Sequence, residues 1–152
     1  MAKGGSNEID VLAKAKSKIA DDDFPTEDQP YMCEAHQEYF RKLLVAWKKS
    51  ILDASAGTLQ LLQDGPIREP DLNDRASSET DWGIELRTRD RQRKLIAKID
   101  SALRRIEEGE YGFCEVTGEP IGLGRLIARP IATMTVEAQE AHERREKVSR
   151  DD

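Results

Sequence analysis

Phe40, Leu43, Leu44, Trp47, Ile51, Ala54, Thr58, Leu61 and Leu62 recur mostly at steps of three and four residues. That spacing lays an apolar stripe along one face of a helix running from about Cys33 to Gly65, the seam of a two-helix coiled coil. Gly57 is a weak spot within it, and Gly65-Pro66 supplies the stop, since glycine takes φ > 0 and proline cannot continue the ladder. A second helical pattern runs from Ser77 to Glu108, with its seam at Trp82, Leu86, Arg89, Arg93, Ile96, Ile99, Leu103 and Ile106. Its lower half is apolar. Its upper half carries arginines where apolar residues belong, so the spacing predicts a stable base and a looser tip. Two such helices joined by a short link fold back as an antiparallel hairpin. The link, Pro70-Asp-Leu-Asn-Asp-Arg-Ala76, then forms the tip of a rod roughly 45–50 Å long.

Outside the hairpin the patterns are shorter. Residues 1–8 read as a leader, and Ile9 to Ala20 shows weak helical spacing through Ile9, Leu12, Ala13, Lys16 and Ile19. Asp21 to Pro30 reads as an acidic, proline-bearing linker. After Gly109 the helical period stops. Tyr111-Gly-Phe-Cys-Glu-Val-Thr-Gly-Glu-Pro-Ile-Gly122 has short apolar stretches around the turn signal Thr117-Gly118. Phe113, Val116, Ile121, Leu126, Ile127, Ile131, Met134 and Val136 are the candidate core of a small module. A last helix is expected from Thr133 or Thr135 to Val148, with threonine as N-cap. The expected organisation is an N-terminal segment over 1–32 and a coiled-coil hairpin over 33–108 with its tip at 66–76. A small module follows over 109–134, then a C-terminal helix over 135–152.

Composition agrees with a thin coil carrying a small module. The chain has 152 residues, is 36% charged and only 5% aromatic, and has a mean hydropathy of −0.70. That leaves little apolar material for a large core. A net charge of −6 gives no bulk attraction to DNA or to an anionic membrane. No apolar run approaches the roughly 18 residues of a membrane span, and the start lacks the apolar stretch of a secretory signal. Cys33 and Cys114 form no disulfide framework, so a reduced, cytoplasmic setting is expected.

Candidate chemistry is sparse. There is no Gly-x-Ser-x-Gly motif and no phosphate-binding glycine loop. His36 and His142 sit in charged helical contexts and read as surface residues. Asp71 and Asp74 are either helix caps at the positive end of the second helix or ligands for Mg²⁺. The basic run Arg87 to Lys98 is either a solvated, salt-bridged face or a contact for an anion or acidic protein. Phe-Cys-Glu-Val-Thr-Gly has the outline of a zinc knuckle, with Thr117 in place of the second thiolate. No Cys or His stands in Ala132 to Ala138, where a second ligand pair is expected, and Cys114 with His142 and a glutamate is a poor substitute. Glu115 and Glu119 beside Cys114 are expected to raise its thiol pKa, which argues against a redox sensor.

Four blocks in order carry a resemblance: Asp71-Leu-Asn-Asp-Arg-Ala76, Glu85 to Ile99, Gly109-Glu-Tyr-Gly-Phe-Cys114, and Gly118 to Pro130. From Tyr31 to Lys147 the chain resembles the DksA family of bacterial transcription factors. The resemblance implies a non-enzymatic monomer that binds RNA polymerase without contacting DNA and extends its coiled coil into the secondary channel. The family's tip residues fall on Asp71, Asp74 and Ala76. Its contacts to the co-regulator ppGpp at the polymerase rim fall on Arg91, Leu95, Lys98 and Arg129. It implies inhibition of ribosomal RNA promoters and activation of amino-acid biosynthesis promoters in the stringent response. Gln139 stands where the family usually has lysine, which implies weaker ppGpp dependence. Of the four cysteine positions of the family's zinc finger only Cys114 remains, with Thr117, Thr135 and Ala138 at the others. The chain is therefore similar to a zinc-independent variant, with no metal cofactor. The alternatives are a transcript-cleavage factor of the Gre type, whose tip acids hold Mg²⁺, and a coiled-coil adaptor that never touches polymerase.

Overall fold

A computed structural model describes residues 11–19, 23–64 and 72–151, with side chains described except at 55, 57–64, 72–79, 150 and 151. The order is α1 (residues 11–17), α2 (Glu34–Asp64), α3 (Leu72–Glu108), α4 (Leu123–Ala128) and α5 (Val136–Asp151). There is no strand among the described residues, only an isolated bridge between Phe113 and Pro120. The fold is mainly α, a long antiparallel hairpin of α2 and α3 followed by a small module and a C-terminal helix.

Two compact units divide the chain. The first joins the N-terminal residues to 45–99. Trp47, Ser50 and Ile51 of α2 are buried there, as are Ile99 of α3 and Ala15 of α1. Burial of the Lys16 amine lowers its pKa. The upper seam departs from the expected one: Leu86 is 46% exposed and Ala54 is exposed. Helical spacing assigns a residue to a face, but the flanking arginines Arg89 and Arg93 keep that face solvated and leave Leu86 little to pack on. Trp47 Nε1 and Ser50 Oγ are buried without a hydrogen-bond partner among the described residues.

The second unit joins 19–44 to 100–152. All three phenylalanines and all three tyrosines of the chain fall here, so its few aromatics are concentrated in one core. Phe24 packs edge-on against Tyr39, Tyr39 against Phe40, and Phe40 against Tyr111, at centroid distances of 5.5, 5.1 and 5.4 Å. Leu43 and Leu44 of α2, and Ala102 and Ile106 of α3, complete the helical side. Each large apolar side chain buried this way contributes about 1.5–3 kcal/mol.

Four corrections to the sequence reading arise in this unit. Val116 and Val136 are 59% and 46% exposed rather than core. Val116 lies on the outward turn of the knuckle, and Val136 opens α5 on its solvent side. Leu123, Tyr111, Pro130 and Ala132 are buried instead. His36 is fully buried, not on the surface. The acidic linker is also more than a linker. Over residues 23–33 it forms a strap whose Pro25 and Met32 are buried and whose Tyr31 hydroxyl reaches the module. Met32 has φ 55, a left-handed conformation that costs a non-glycine residue about 1–2 kcal/mol.

Candidate functional site

Three groups of residues were singled out by sequence, and the structure treats them differently. Of the tip, Asp71 lies outside the described residues. Asp74 and Ala76 stand in the first turns of α3, and their side chains also lie outside the described ones.

The basic face of α3 is better defined. Arg91, Leu95 and Lys98 follow at i, i+4 and i+7, which puts them on one face of the helix. Arg91 and Lys98 are exposed and Leu95 is half-buried. Asp90 pairs with Arg93 at 2.6 Å and with Lys94 at 2.9 Å, and Lys94 and Arg93 together hold its carboxyl below the usual carboxylate range. Among the described residues no acid is paired with Arg91 or Lys98. The run Arg87 to Lys98 is thus part salt-bridged and part unpaired, and the unpaired part is the one the resemblance singles out. Arg91, with Ile84, Arg87 and Asp90, also lines a shallow groove. Arg129 belongs to the second unit, where it is exposed at the end of α4 and its N–H bonds the Arg125 carbonyl at 2.7 Å. Gln139 donates to Glu143 at 3.1 Å along α5.

The module between Gly109 and α5 is held by backbone bonds and a few long side chains. Cys114 N–H donates to Glu119 O at 2.8 Å, Gly118 N–H to Cys114 O at 2.9 Å, and Ile121 N–H to Gly112 O at 2.8 Å. The Arg105 guanidinium donates to the carbonyls of Glu110 and Phe113, and Arg125 Nε to that of Met134. Tyr111 OH, buried so that its pKa is raised, donates to Pro130 O at 2.7 Å.

Cys114, Thr117, Thr135 and Ala138 converge here. Cys114 is 4% exposed. Burial pushes its thiol pKa up, but hydrogen bonds from the Thr117 hydroxyl and from the N–H groups of Thr135, Thr117 and Val116 outweigh that and bring it down to about 7. The expectation that Glu115 and Glu119 raise it is therefore corrected: both acids are exposed, and donors in contact with the sulfur decide. Thr117 Oγ1 also accepts Glu119 N–H at 3.3 Å. Thr135 Oγ1 accepts Ala138 N–H at 3.2 Å, which caps α5, and Ala138 is buried against the module. Tetrahedral zinc needs four nitrogen, sulfur or carboxylate ligands. One thiol, two engaged hydroxyls and a methyl do not fit that ion. Among the described residues no group of three or more His, Cys, Asp or Glu can hold a metal. His142 is exposed and pairs with Glu146 at 3.0 Å, as its surface context suggested.

Sequence reasoning missed the strap. Tyr31 OH donates to Gly112 O at 2.6 Å and accepts Gly122 N–H at 2.9 Å, and its ring meets Phe113 edge-on. The signal was present as an apolar pair, Tyr31-Met32, immediately ahead of a helix start, the place of a hydrophobic staple.

Comparison with known proteins adds to this geometry. Residues 36–106 match the family described as DnaK suppressor protein DksA, N-terminal domain. Residues 109–144 match the prokaryotic dksA/traR C4-type zinc finger. The chain is 64% identical over 128 residues to the RNA polymerase-binding transcription factor DksA of Caulobacter vibrioides, covering 84% of this chain and 90% of that one. It is 40% identical over 126 residues to the protein of the same description from Escherichia coli, covering 81% and 83%. The structure of transcription factor DksA2 from Pseudomonas aeruginosa matches with a TM-score of 0.70 at 44% identity, covering 79% of this chain and 95% of that one.

Proposed function

The chain belongs to the DksA family, and from that premise we propose that it is a non-enzymatic regulator of transcription that binds RNA polymerase. Its coiled coil, residues 33–108, enters the secondary channel, and the tip over 66–76 carries Asp71, Asp74 and Ala76 toward the active site. The module over 109–134 and the terminal helix over 135–152 stay at the channel mouth. There Arg91, Leu95, Lys98 and Arg129 meet the polymerase rim and ppGpp. Guanidiniums suit a phosphate-rich ligand because they offer paired donors in a fixed plane. With ppGpp the factor inhibits ribosomal RNA promoters and activates amino-acid biosynthesis promoters, and Gln139 in place of lysine weakens that dependence. It works as a cytoplasmic monomer, contacts no DNA directly, and needs no zinc.

The observation that carries this reading is the 64% identity to a protein named for binding RNA polymerase, extending over 90% of that protein. Arg91 and Lys98, exposed on one face of α3 and without an ion pair among the described residues, support it further. Binding of the purified chain to core RNA polymerase, measured by competition with a labelled copy, tests it. Asp74→Asn is expected to bind with an affinity close to wild type and to lose regulation, because the tip acts beyond the binding surfaces. Failure of the unmodified chain to bind polymerase would overturn the proposal, and release of short RNA from a backtracked complex would point to a cleavage factor instead.

A further inference from the structure

Ser50 is buried although it stands off the seam of its helix. In the first unit that seam runs through Trp47 and Ile51, both buried. At about 100° per residue, Ser50 lies roughly 80° to one side of it. Its hydroxyl is buried all the same, and Ala46 on the same flank is half-buried. On the other flank the apolar Val45 and Leu52 are 50% and 49% exposed. A body other than α3 therefore covers Ser50. Besides α2 and α3, the described part of this unit holds only the N-terminal residues, where Ala15 of α1 is fully buried. With seven residues, α1 is too short to hold a helix unaided, so it is helical because it is docked. We infer that α1 lies on the Ser50 flank of the hairpin, beside Leu95 and Lys98, and that its Lys16 joins Arg91 and Lys98 as a further cation for the phosphates of ppGpp. The placement of α1 stands on the geometry alone, and the role of Lys16 rests on the function proposed above.

The two flanks lie on the same side of the hairpin. On α3, Arg91 and Lys98 stand roughly 90–110° from the seam that Leu95, Ile96 and Ile99 face, reached in the same rotational sense as Ser50 from its own seam. The second helix faces the first and runs the other way, and the two reversals cancel. The levels match as well. The first unit opens at Val45 on α2 and closes at Ile99 on α3, so it crosses the hairpin at one level. Counting toward the tip from there, Ala46 comes level with Lys98, and Ser50 with Lys94 and Leu95.

Lys16 has the environment for this role. Its amine is partly buried, which lowers its pKa, and among the described residues no acid pairs with it. Lys14 and Lys18 are exposed. Asp90 turns away from the seam to Arg93 and Lys94, and Asp53, one turn beyond Ser50, is exposed. A partly dehydrated ammonium without a counter-ion gains more from an incoming phosphate than a fully solvated one does.

In the wild-type chain alone, NMR contacts between the Ala15 methyl and the side chain of Ala46 or Ser50 are expected, and their absence overturns the placement. With purified polymerase, ppGpp binding is titrated in the presence of the full chain, and binding by polymerase alone is subtracted. Lys16→Met keeps the stem and drops the charge, and is expected to weaken the chain-dependent binding about tenfold. Lys49→Met, on the side of α2 away from the seam, is expected to leave it unchanged, and an equal loss there would mark bulk charge and overturn the inference. Equal binding by wild type and Lys16→Met overturns the role of Lys16 while the proposed function stands. No chain-dependent binding by wild type overturns the ppGpp part of the proposed function and this inference with it. A loss of polymerase affinity in Lys16→Met that is as large without ppGpp marks an acidic protein contact instead, and also overturns it.

Discussion

Cys114 shows how much a single residue's surroundings matter. The sulfur lies within the stretch that matches a C4-type zinc finger, yet four hydrogen bonds rather than a cation lower its pKa to about 7. Since its folded value lies below the ordinary thiol value, the thiolate contributes stability that is fully present above the unfolded value. That contribution is lost as pH falls through about 7. The stability difference between wild type and Cys114→Ala is therefore expected to widen between about pH 6 and about pH 9, read by urea denaturation at each. A difference that stays constant would mean that the donors do not stabilise the charged form. The sequence could not reveal this, because beside the Thr117 hydroxyl the deciding groups are backbone N–H groups of Val116, Thr117 and Thr135. Only folding brings the last of these beside Cys114. Sequence neighbours suggested acids, and those acids point their charge into water. His36 failed to be legible for a related reason. Its flanking charges, Glu34 and Glu38, mark a solvated helix, and nothing local announces that the strap returns over that face.

At the scale of the element, Thr135 carries more than its short side chain suggests. It lies within the stretch that matches a C4-type zinc finger, and its hydroxyl caps α5 through Ala138 N–H. Thr135→Val keeps the shape and removes the cap, and is expected to destabilise the protein by about 1 kcal/mol, with loss of helical signal confined to the C-terminal helix. Circular dichroism and thermal denaturation check both parts, and an unchanged midpoint would show the cap to be dispensable. The helices themselves were readable from period alone. Phe40, Leu43, Leu44, Trp47 and Ile51 on α2, and Ile99 and Ile106 on α3, are buried where their spacing placed them. Leu86 was not, because the arginines Arg89 and Arg93 that flank it on α3 keep that face solvated. The module between Gly109 and Pro130 has no period to read. Its core had to be guessed from composition, which favoured Val116 and overlooked Leu123 and Tyr111.

For the whole molecule, the division of labour follows from where the apolar and charged residues were put. The phenylalanines and tyrosines gather in the second unit, and the module they pack is closed by the carbonyl contacts of Arg105, Arg125 and Tyr111. On α3, Arg91 and Lys98 form no ion pair among the described residues, while Arg93 and Lys94 share Asp90. Among the described residues no helix is long and apolar enough to cross a membrane. On the function proposed above, this chain regulates RNA polymerase through its tip while needing no zinc. Transcription from a ribosomal RNA promoter with purified polymerase, the protein and ppGpp, run with and without a strong zinc chelator applied to the protein beforehand, tests it most directly. Inhibition is expected to survive chelation and to be lost in Asp74→Asn. Inhibition abolished by chelation and restored by added zinc, or inhibition undiminished in Asp74→Asn, would contradict it.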